Sequence, residues 1–408
     1  NAHEEEWFQK WAQANKNWLS HGTLRLSYSL VGEQTTASNA LAVFRSGIMW
    51  RPQGDQQEQY IYLSQLANSD LTYEKKKEFN IGVDLGFLNN RLNLSSDFYW
   101  RDNYDLMGYV NTPGAGGETR KFANVASMRS HGLEATISSQ NIRTKDFDWS
   151  TDLTYSYTKT KIKDVLSQAN VIGLVYNSGS NIRKGYPHRS IFSIPFVGLN
   201  DEGIPQVINE KGEVTTTDIN FQEYQNLGFL KYEGPTEPTM NGGLNNTLRY
   251  KNWRLNIFVT YSFGNKIRLD PTFSSSYSDM SAMPKEFKNR WVMPGDEKIT
   301  SIPAIASVRQ YYNDTQLSFA YNSYNYSTER IADGGFIRLK DVSLTYDVPR
   351  SFLSKIGLST AAIKLDATNL CLLYADDKLN GQDPEFVNSG GVATPLSKQF
   401  TLTVRLGL

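Results

Sequence analysis

A single cysteine, Cys371, leaves no partner for an internal disulfide and no thiolate cluster for zinc. The four histidines, His3, His21, His131 and His188, lie far apart and show no HExxH spacing, so no metal site is expected. No run of 18 apolar residues occurs, which excludes a transmembrane helix. Net charge is also lacking: 42 basic side chains balance 42 acidic ones, so the basic excess of a nucleic-acid binder is missing. Hydrophobic residues reach only 39%, below the usual globular share. The chain has no initiator methionine and no signal peptide, the expectation for a mature protein or a fragment. Aromatic residues, by contrast, are plentiful at 12%, which argues against disorder.

Few apolar residues together with many aromatics fit a transmembrane β-barrel, whose strands alternate lipid-facing and lumen-facing residues. The test is period-two alternation over segments of about ten residues. Between Phe147 and Thr158, Phe147, Trp149, Thr151, Leu153, Tyr155 and Tyr157 take one face, against Asp148, Ser150, Asp152, Thr154, Ser156 and Thr158. From Trp253 the split gives Trp253, Leu255, Ile257, Val259, Tyr261 and Phe263 against Arg254, Asn256, Thr260 and Ser262. The segments from Phe79, from Leu92 and from Phe400 behave alike. Trp149, Leu153, Tyr155, Leu255, Ile257 and Val259 are therefore expected to face lipid.

Ten strands are expected, at about 23–32, 76–88, 91–103, 130–142, 147–163, 239–250, 253–267, 336–348, 360–370 and 398–408. Their connections alternate in length. Asn89-Asn90, 143–146, Lys251-Asn252 and 349–359 are short, whereas 33–75, 104–129, 164–238, 268–335 and 371–397 are long. Outer-membrane barrels have short periplasmic turns and long extracellular loops. Residues 1–22 then form a periplasmic or interfacial connection, with Trp7, Phe8, Trp11, Trp18 and Leu19 at roughly helical spacing as an anchor or as packing in a barrel rim. Segments 191–200 and 204–214 are expected to form a hairpin inside a loop. Ten strands alone close at a backbone radius of roughly 10 Å, which side chains nearly fill, whereas 22 strands give roughly 22 Å, the size of plugged transporters. The fold class is thus all-β: an antiparallel transmembrane β-barrel portion, about ten strands of a larger, 22-stranded barrel.

Short motifs in register with these strands carry a resemblance. Leu24-Arg25-Leu26-Ser27-Tyr28, Asn68-Ser69-Asp70-Leu71-Thr72-Tyr73-Glu74-Lys75 and the hairpin from Phe79 to Leu92 open the series. Gly132-Leu133-Glu134, Gly242-Gly243-Leu244, Arg290-Trp291 with Pro294-Gly295-Asp296, and Phe336 to Tyr346 continue it. Asn369-Leu370 and Asp383-Pro384-Glu385 follow. In this order they resemble the C-terminal barrel portion of SusC/RagA-like TonB-linked outer-membrane proteins. The resemblance implies a multi-pass protein of the cell outer membrane. It implies TonB-energised import of large oligomers, glycans before oligopeptides, with no cofactor and no catalysis. The implied partners are a SusD-like surface lipoprotein, the TonB complex acting through a plug region that this chain lacks, the rest of the barrel polypeptide and outer-membrane lipid, with no nucleic acid. Leu408 stands where such barrels commonly end in an aromatic residue.

Several residue groups have competing readings. Gly114-Ala115-Gly116-Gly117 before Arg120-Lys121 lacks the strand, helix and GK[ST] of a phosphate loop and reads as a flexible loop. Asp376, Asp377, Asp383 and Glu385 offer oxygens for Ca²⁺ but not at EF-hand spacing, so a solvated acidic loop is the plainer reading. His131 with Asp97 or Asp102 is the one combination that a self-contained ten-stranded barrel enzyme could use. Tyr176, Tyr186, Tyr277, Trp291, Tyr312 and Tyr324 sit in the long loops and are expected at a substrate or lid contact, or in loop self-packing. Loops 164–238 and 268–335 are expected to supply much of the lid interface and part of the chamber wall, because loops longer than about 12–15 residues are usually functional or disordered.

Overall fold

The computed structural model describes residues 4–14, 18–34, 40–52, 54, 56–115, 119–166, 168–176, 182–277, 280, 283–314, 316–353, 357–387 and 395–407. Gly116, Gly117 and Leu408 lie outside the described residues. Ten long strands form one antiparallel meander. They are β1 (Leu19–Glu33), β2 (Glu74–Phe87), β3 (Leu92–Asn111), β4 (Arg120–Arg143) and β5 (Phe147–Val165), then β6 (Met240–Tyr250), β7 (Trp253–Phe263), β8 (Phe336–Asp347), β9 (Thr360–Tyr374) and β10 (Gln399–Gly407). Each pairs with the next, and among the described residues β1 and β10 are not joined, so the sheet is open. No described helix is long and apolar enough to cross a membrane.

Register shows how alternation becomes a two-faced wall. One row runs Leu85, Leu94, Ile137, Leu153, Leu244, Val259, Leu339. A second runs Trp149, Leu248, Leu255, Leu344, Leu365, Leu402. Tyr155 and Ile257 lie in neighbouring rows of the same face, so the six residues expected at lipid share one side of the sheet. The opposite face carries rows such as Ser138, Asp152, Asn245, Phe258, Asp341, Thr368. Polar groups on the apolar face satisfy one another: Asn246 Oδ1 accepts from Trp149 Nε1 at 3.0 Å and from Thr151 Oγ1 at 2.8 Å. Gly242 is small for a steric reason, since a Cβ there would stand 2.1 Å from the Thr154 carbonyl oxygen.

Several strands run further than alternation indicates, β1 from Leu19 and β9 to Tyr374 by four residues, β3 and β4 by the most. β3 and β4 continue to Asn111 and from Arg120, so most of the expected loop 104–129 is sheet. The pairing shifts register at Asn103/Leu106 and again at Leu106/Met107, with Asp105 at φ 58°. A bulge moves side chains to the other face, and strict period-two reading stops there. Side chains hold the extension: Glu74 Oε1 accepts from the Met107 amide at 2.8 Å, and Asn124 Nδ2 donates to the Thr72 carbonyl at 2.8 Å. The segment 33–75 contains a separate hairpin, Val43–Trp50 with Gln57–Gln65. The N-terminal helix, Glu6–Ala14, buries Phe8 near Gly22 while Trp7 and Trp11 stay exposed.

The hydrophobic cores lie in the long connections. One joins Val171, Leu174, Phe192, Ile194 and Val207. A second joins Ile204, Phe273, Leu317, Ala320, Tyr321 and Tyr324. A third joins Ile267, Leu269, Ala332 and Leu379. Segments 164–238, 268–335 and 371–397 therefore fold on one another at the end of the sheet opposite the short turns.

Candidate functional site

This loop assembly is built from short elements that need each other. Phe196–Leu199 pairs with Pro205–Ile208, the hairpin expected within 191–214, while Ser190–Ser193 pairs with Lys231–Pro235. Past β7, Gly264 at φ 89° turns the chain, and Lys266–Arg268 pairs with Ile331–Asp333. The backbone of Ile194 exchanges hydrogen bonds with Tyr326 and Thr328, both at 3.0 Å, which ties 164–238 to 268–335.

Three arginines lock the joints. Arg268 donates to the Phe192 carbonyl at 2.6 Å and to Ser193 Oγ at 3.1 Å, and burial pushes its pKa down to about 10, so it stays charged at neutral pH. Arg330 pairs with Glu286 and lies 4.9 Å over the Phe273 ring. Arg338, on the polar face at the start of β8, reaches Asp383 Oδ1 and Oδ2 at 2.6 and 2.7 Å and Glu385 Oε2 at 2.8 Å. Asp383 is buried, and Asp376 Oδ2 accepts from the Asp333 amide at 2.6 Å. Asp383, Asp376 and Glu385 thus clamp β8 and its approach, while Asp377 and the Glu385 side chain stay exposed as a solvated loop would have them; burial of an arginine calls carboxylates in.

The expected aromatic contacts divide into two groups. Tyr324 is fully buried, edge-on to Phe273 at 5.0 Å, and burial pushes its phenol pKa up. It therefore leaves the set of residues that can touch a ligand. Tyr186 packs between Phe192 at 5.0 Å and Tyr232 at 4.9 Å. Tyr277 packs on Phe287 at 5.5 Å. Trp291 donates from Nε1 to Glu297 at 3.1 Å and lies over Gly203, where a Cβ would meet its ring at 2.5 Å. These four hold the assembly together. Tyr176 and Tyr312 remain on the surface, 66% and 76% exposed. Tyr176 borders a small hollow with Ile172, Phe221 and Tyr326.

Around Tyr312 lies a feature that no sequence motif marks. Ile305, Val308, Tyr311 and Tyr312 are exposed along 305–312, and Val292, Met293 and Ile299 are exposed on the neighbouring turn. The turn is cross-linked: Asp296 Oδ2 accepts from the Val292 and Met293 amides at 3.0 and 3.1 Å. Hydrogen bonds from its own amide, the Trp291 indole and the Gly295 amide hold the Glu297 carboxyl below the usual range. A cavity of about 700 Å³ lies between the ends of β3–β5 and the segment 182–239. Its lining is largely apolar, with Leu106, Met107, Val125, Met128, Ile162 and Ile182, and carries Arg189 and Glu237 at its border.

The one conceivable catalytic combination does not assemble. Asp97 lies on the polar face and binds Arg25, whereas His131 lies on the apolar face. Asp102 shares that face but is held by Arg129 at 2.7 Å. Among the described residues no group of three or more metal-ligating side chains occurs.

Comparison with known proteins places this architecture. The family model "TonB dependent receptor-like, beta-barrel" matches residues 11–370. TonB-dependent receptor P3 of Formosa agariphila is 27% identical over 92% of this chain and 37% of its own length. TonB-dependent receptor SusC of Bacteroides thetaiotaomicron is 24% identical over 96% of this chain and 38% of its own. The RagAB peptide importer in its open-open state matches at a TM-score of 0.74 and 24% identity, over 96% of this chain and 40% of that one. The chain thus spans well under half the length of these relatives.

Proposed function

From a chain that belongs to the TonB-dependent receptor-like β-barrel family and to the outer membrane, we propose the C-terminal wall and extracellular mouth of a nutrient importer. The importer takes up large oligomers with energy from the TonB complex, together with a SusD-like surface lipoprotein. It is a transporter, not an enzyme. The observation that carries this reading is the loop assembly. Three long connections bury cores of their own and leave large apolar side chains exposed, Ile305, Val308, Tyr311 and Tyr312 along 305–312 and Val292 and Met293 on the 291–300 turn. Such a patch on an ordered surface marks a docking site. The lipoprotein lid seats there, and the loop assembly forms part of the chamber wall.

Glycan oligomers are the first substrate class, held by exposed tyrosines among amide and hydroxyl groups. Oligopeptides are the second, and one observation favours them: the cavity lining of Leu106, Met107, Val125, Met128 and Ile162 suits apolar side chains better than sugar rings. The lid assignment is tested with Val308→Asp/Tyr312→Asp in the protein produced in its outer membrane. The lid should be lost in pull-down and uptake should fall, with the barrel still inserted. Retention of both would remove this surface from the reading.

A further inference from the structure

The apolar face of β2–β5 changes character toward the loop end in three successive rows. The first is Ile81, Phe98, Leu133, Tyr157. Next comes Phe79, Trp100, His131, Lys159, with the Phe79 and Trp100 rings stacked at 6.0 Å. Last is Lys77, Asp102, Arg129, Lys161. Rows are separated by about 7 Å along a strand and strands by about 4.8 Å. Apolar, aromatic and cationic layers therefore follow one another over the depth of a membrane interface.

The carboxylates in this region are already engaged. Asp102 takes Arg129 at 2.7 Å, and Asp164 takes Lys184 at 2.7 Å. Lys77, Lys159 and Lys161 are exposed and make no ion pair among the described residues. Lys77 Nζ leans over the Tyr104 ring at 5.0 Å. Long cationic side chains above an aromatic belt snorkel to headgroup level, and clustered ammonium groups bind phosphate through charge-assisted hydrogen bonds.

We infer that Lys77, Lys159 and Lys161 form a binding site for the phosphorylated headgroup of an outer-leaflet lipid, whose acyl chains lie on Phe98, Leu133 and Tyr157. The site anchors this sector of the wall and fixes its height in the membrane. It rests on the reading that the apolar face meets lipid, and it adds a specific headgroup chemistry to it.

The test uses the protein purified in detergent from its own outer membrane, with co-purified phosphorylated lipid quantified by mass spectrometry of extracts. The unaltered protein should retain such lipid and release it when salt rises from about 0.1 M to about 1 M, as screening shortens. Lys77→Gln/Lys159→Gln/Lys161→Gln should bind on the order of a hundredfold more weakly, while the Lys→Arg triple variant keeps the lipid. Full retention by the Gln variant overturns the proposal. If the Gln variant does not fold, lipid that survives high salt on the unaltered protein overturns it equally. Inorganic phosphate binding as tightly as vesicles of phosphorylated lipid would reduce the site to a plain anion site and overturn the lipid assignment. A spin label at Leu133→Cys, in a Cys371→Ser background, reports on the underlying face separately. Preferential collision with oxygen over a water-soluble nickel complex places it in lipid, whatever the lysines do.

Discussion

Arg338 shows how single residues carry the site. Its guanidinium is buried on the polar face of β8 and meets two carboxylates from the segment that follows β9. Removing the partner of a buried charge costs about 3–5 kcal/mol when nothing replaces it, and Glu385, at 2.8 Å from Arg338, holds the loss from Asp383→Asn below that. Asp383→Asn should therefore loosen 376–387, seen as faster hydrogen exchange there, while Arg338→Met with Asp383→Leu should cost much less. The wall gives a second expectation at this scale. Arg in place of Leu153, mid-strand on the apolar face, should cost about 2–4 kcal/mol, and Arg in place of Asp152 distinctly less. Refolding titrations in bilayers check this, and equal costs would contradict the face assignment. Glu297 supplies a pH dependence. Its folded pKa is depressed, so its contribution is complete above the usual carboxylate value and is lost as pH falls through the folded value. Proteolysis of the 291–300 turn should accelerate only on acidification below about pH 4.3, and Glu297→Gln should flatten that response. All six loop aromatics lie in the long connections, and composition does not separate surface from core among them. Tyr324 and Tyr312 look alike in composition, and only the fold puts one against Phe273 and Arg330 and the other in solvent.

At the scale of elements, alternation was a sufficient signal for the membrane-height strands because one face is mostly apolar. The row through Leu153 and Val259 is what a period of two dictates. It failed at the loop ends of β3 and β4, where bulges at Asn103–Met107 break parity although hydrogen bonding continues. The paired short strands of the loop assembly were legible only in part. The 196–208 hairpin has its own turn, whereas Lys266–Arg268 finds Ile331–Asp333 across 62 intervening residues. No local pattern encodes such a pairing. The assembly depends on close approach at Gly203, which sits at φ 74° beneath Trp291. Gly203→Val should displace the Trp291 ring and release the 291–304 turn. The expected readout is a red-shifted Trp291 emission in a variant where it is the reporting tryptophan, with the β strands unchanged by infrared spectroscopy. An unshifted spectrum would mean that the turn is held without that contact.

At the scale of the whole molecule, the open edges of β1 and β10 and the coverage of well under half of each relative point the same way. Ten strands closed on themselves leave a bore of roughly 10 Å backbone radius, too narrow for an oligomer beside the side chains of the polar face. Produced alone in detergent or bilayers, the chain should aggregate or stay unfolded rather than form a monodisperse, heat-modifiable barrel. The proposed place is in a wider wall, with the loop assembly as the proposed seat for a lid. The native mass spectrum of the protein gently extracted from its own outer membrane tests that most directly. The expected spectrum shows one particle that holds the complete barrel polypeptide, a surface lipoprotein and a bound oligomer whose mass ladder identifies sugar or amino-acid units. A stable particle consisting of this chain alone, with neither lipoprotein nor oligomer, would contradict the account.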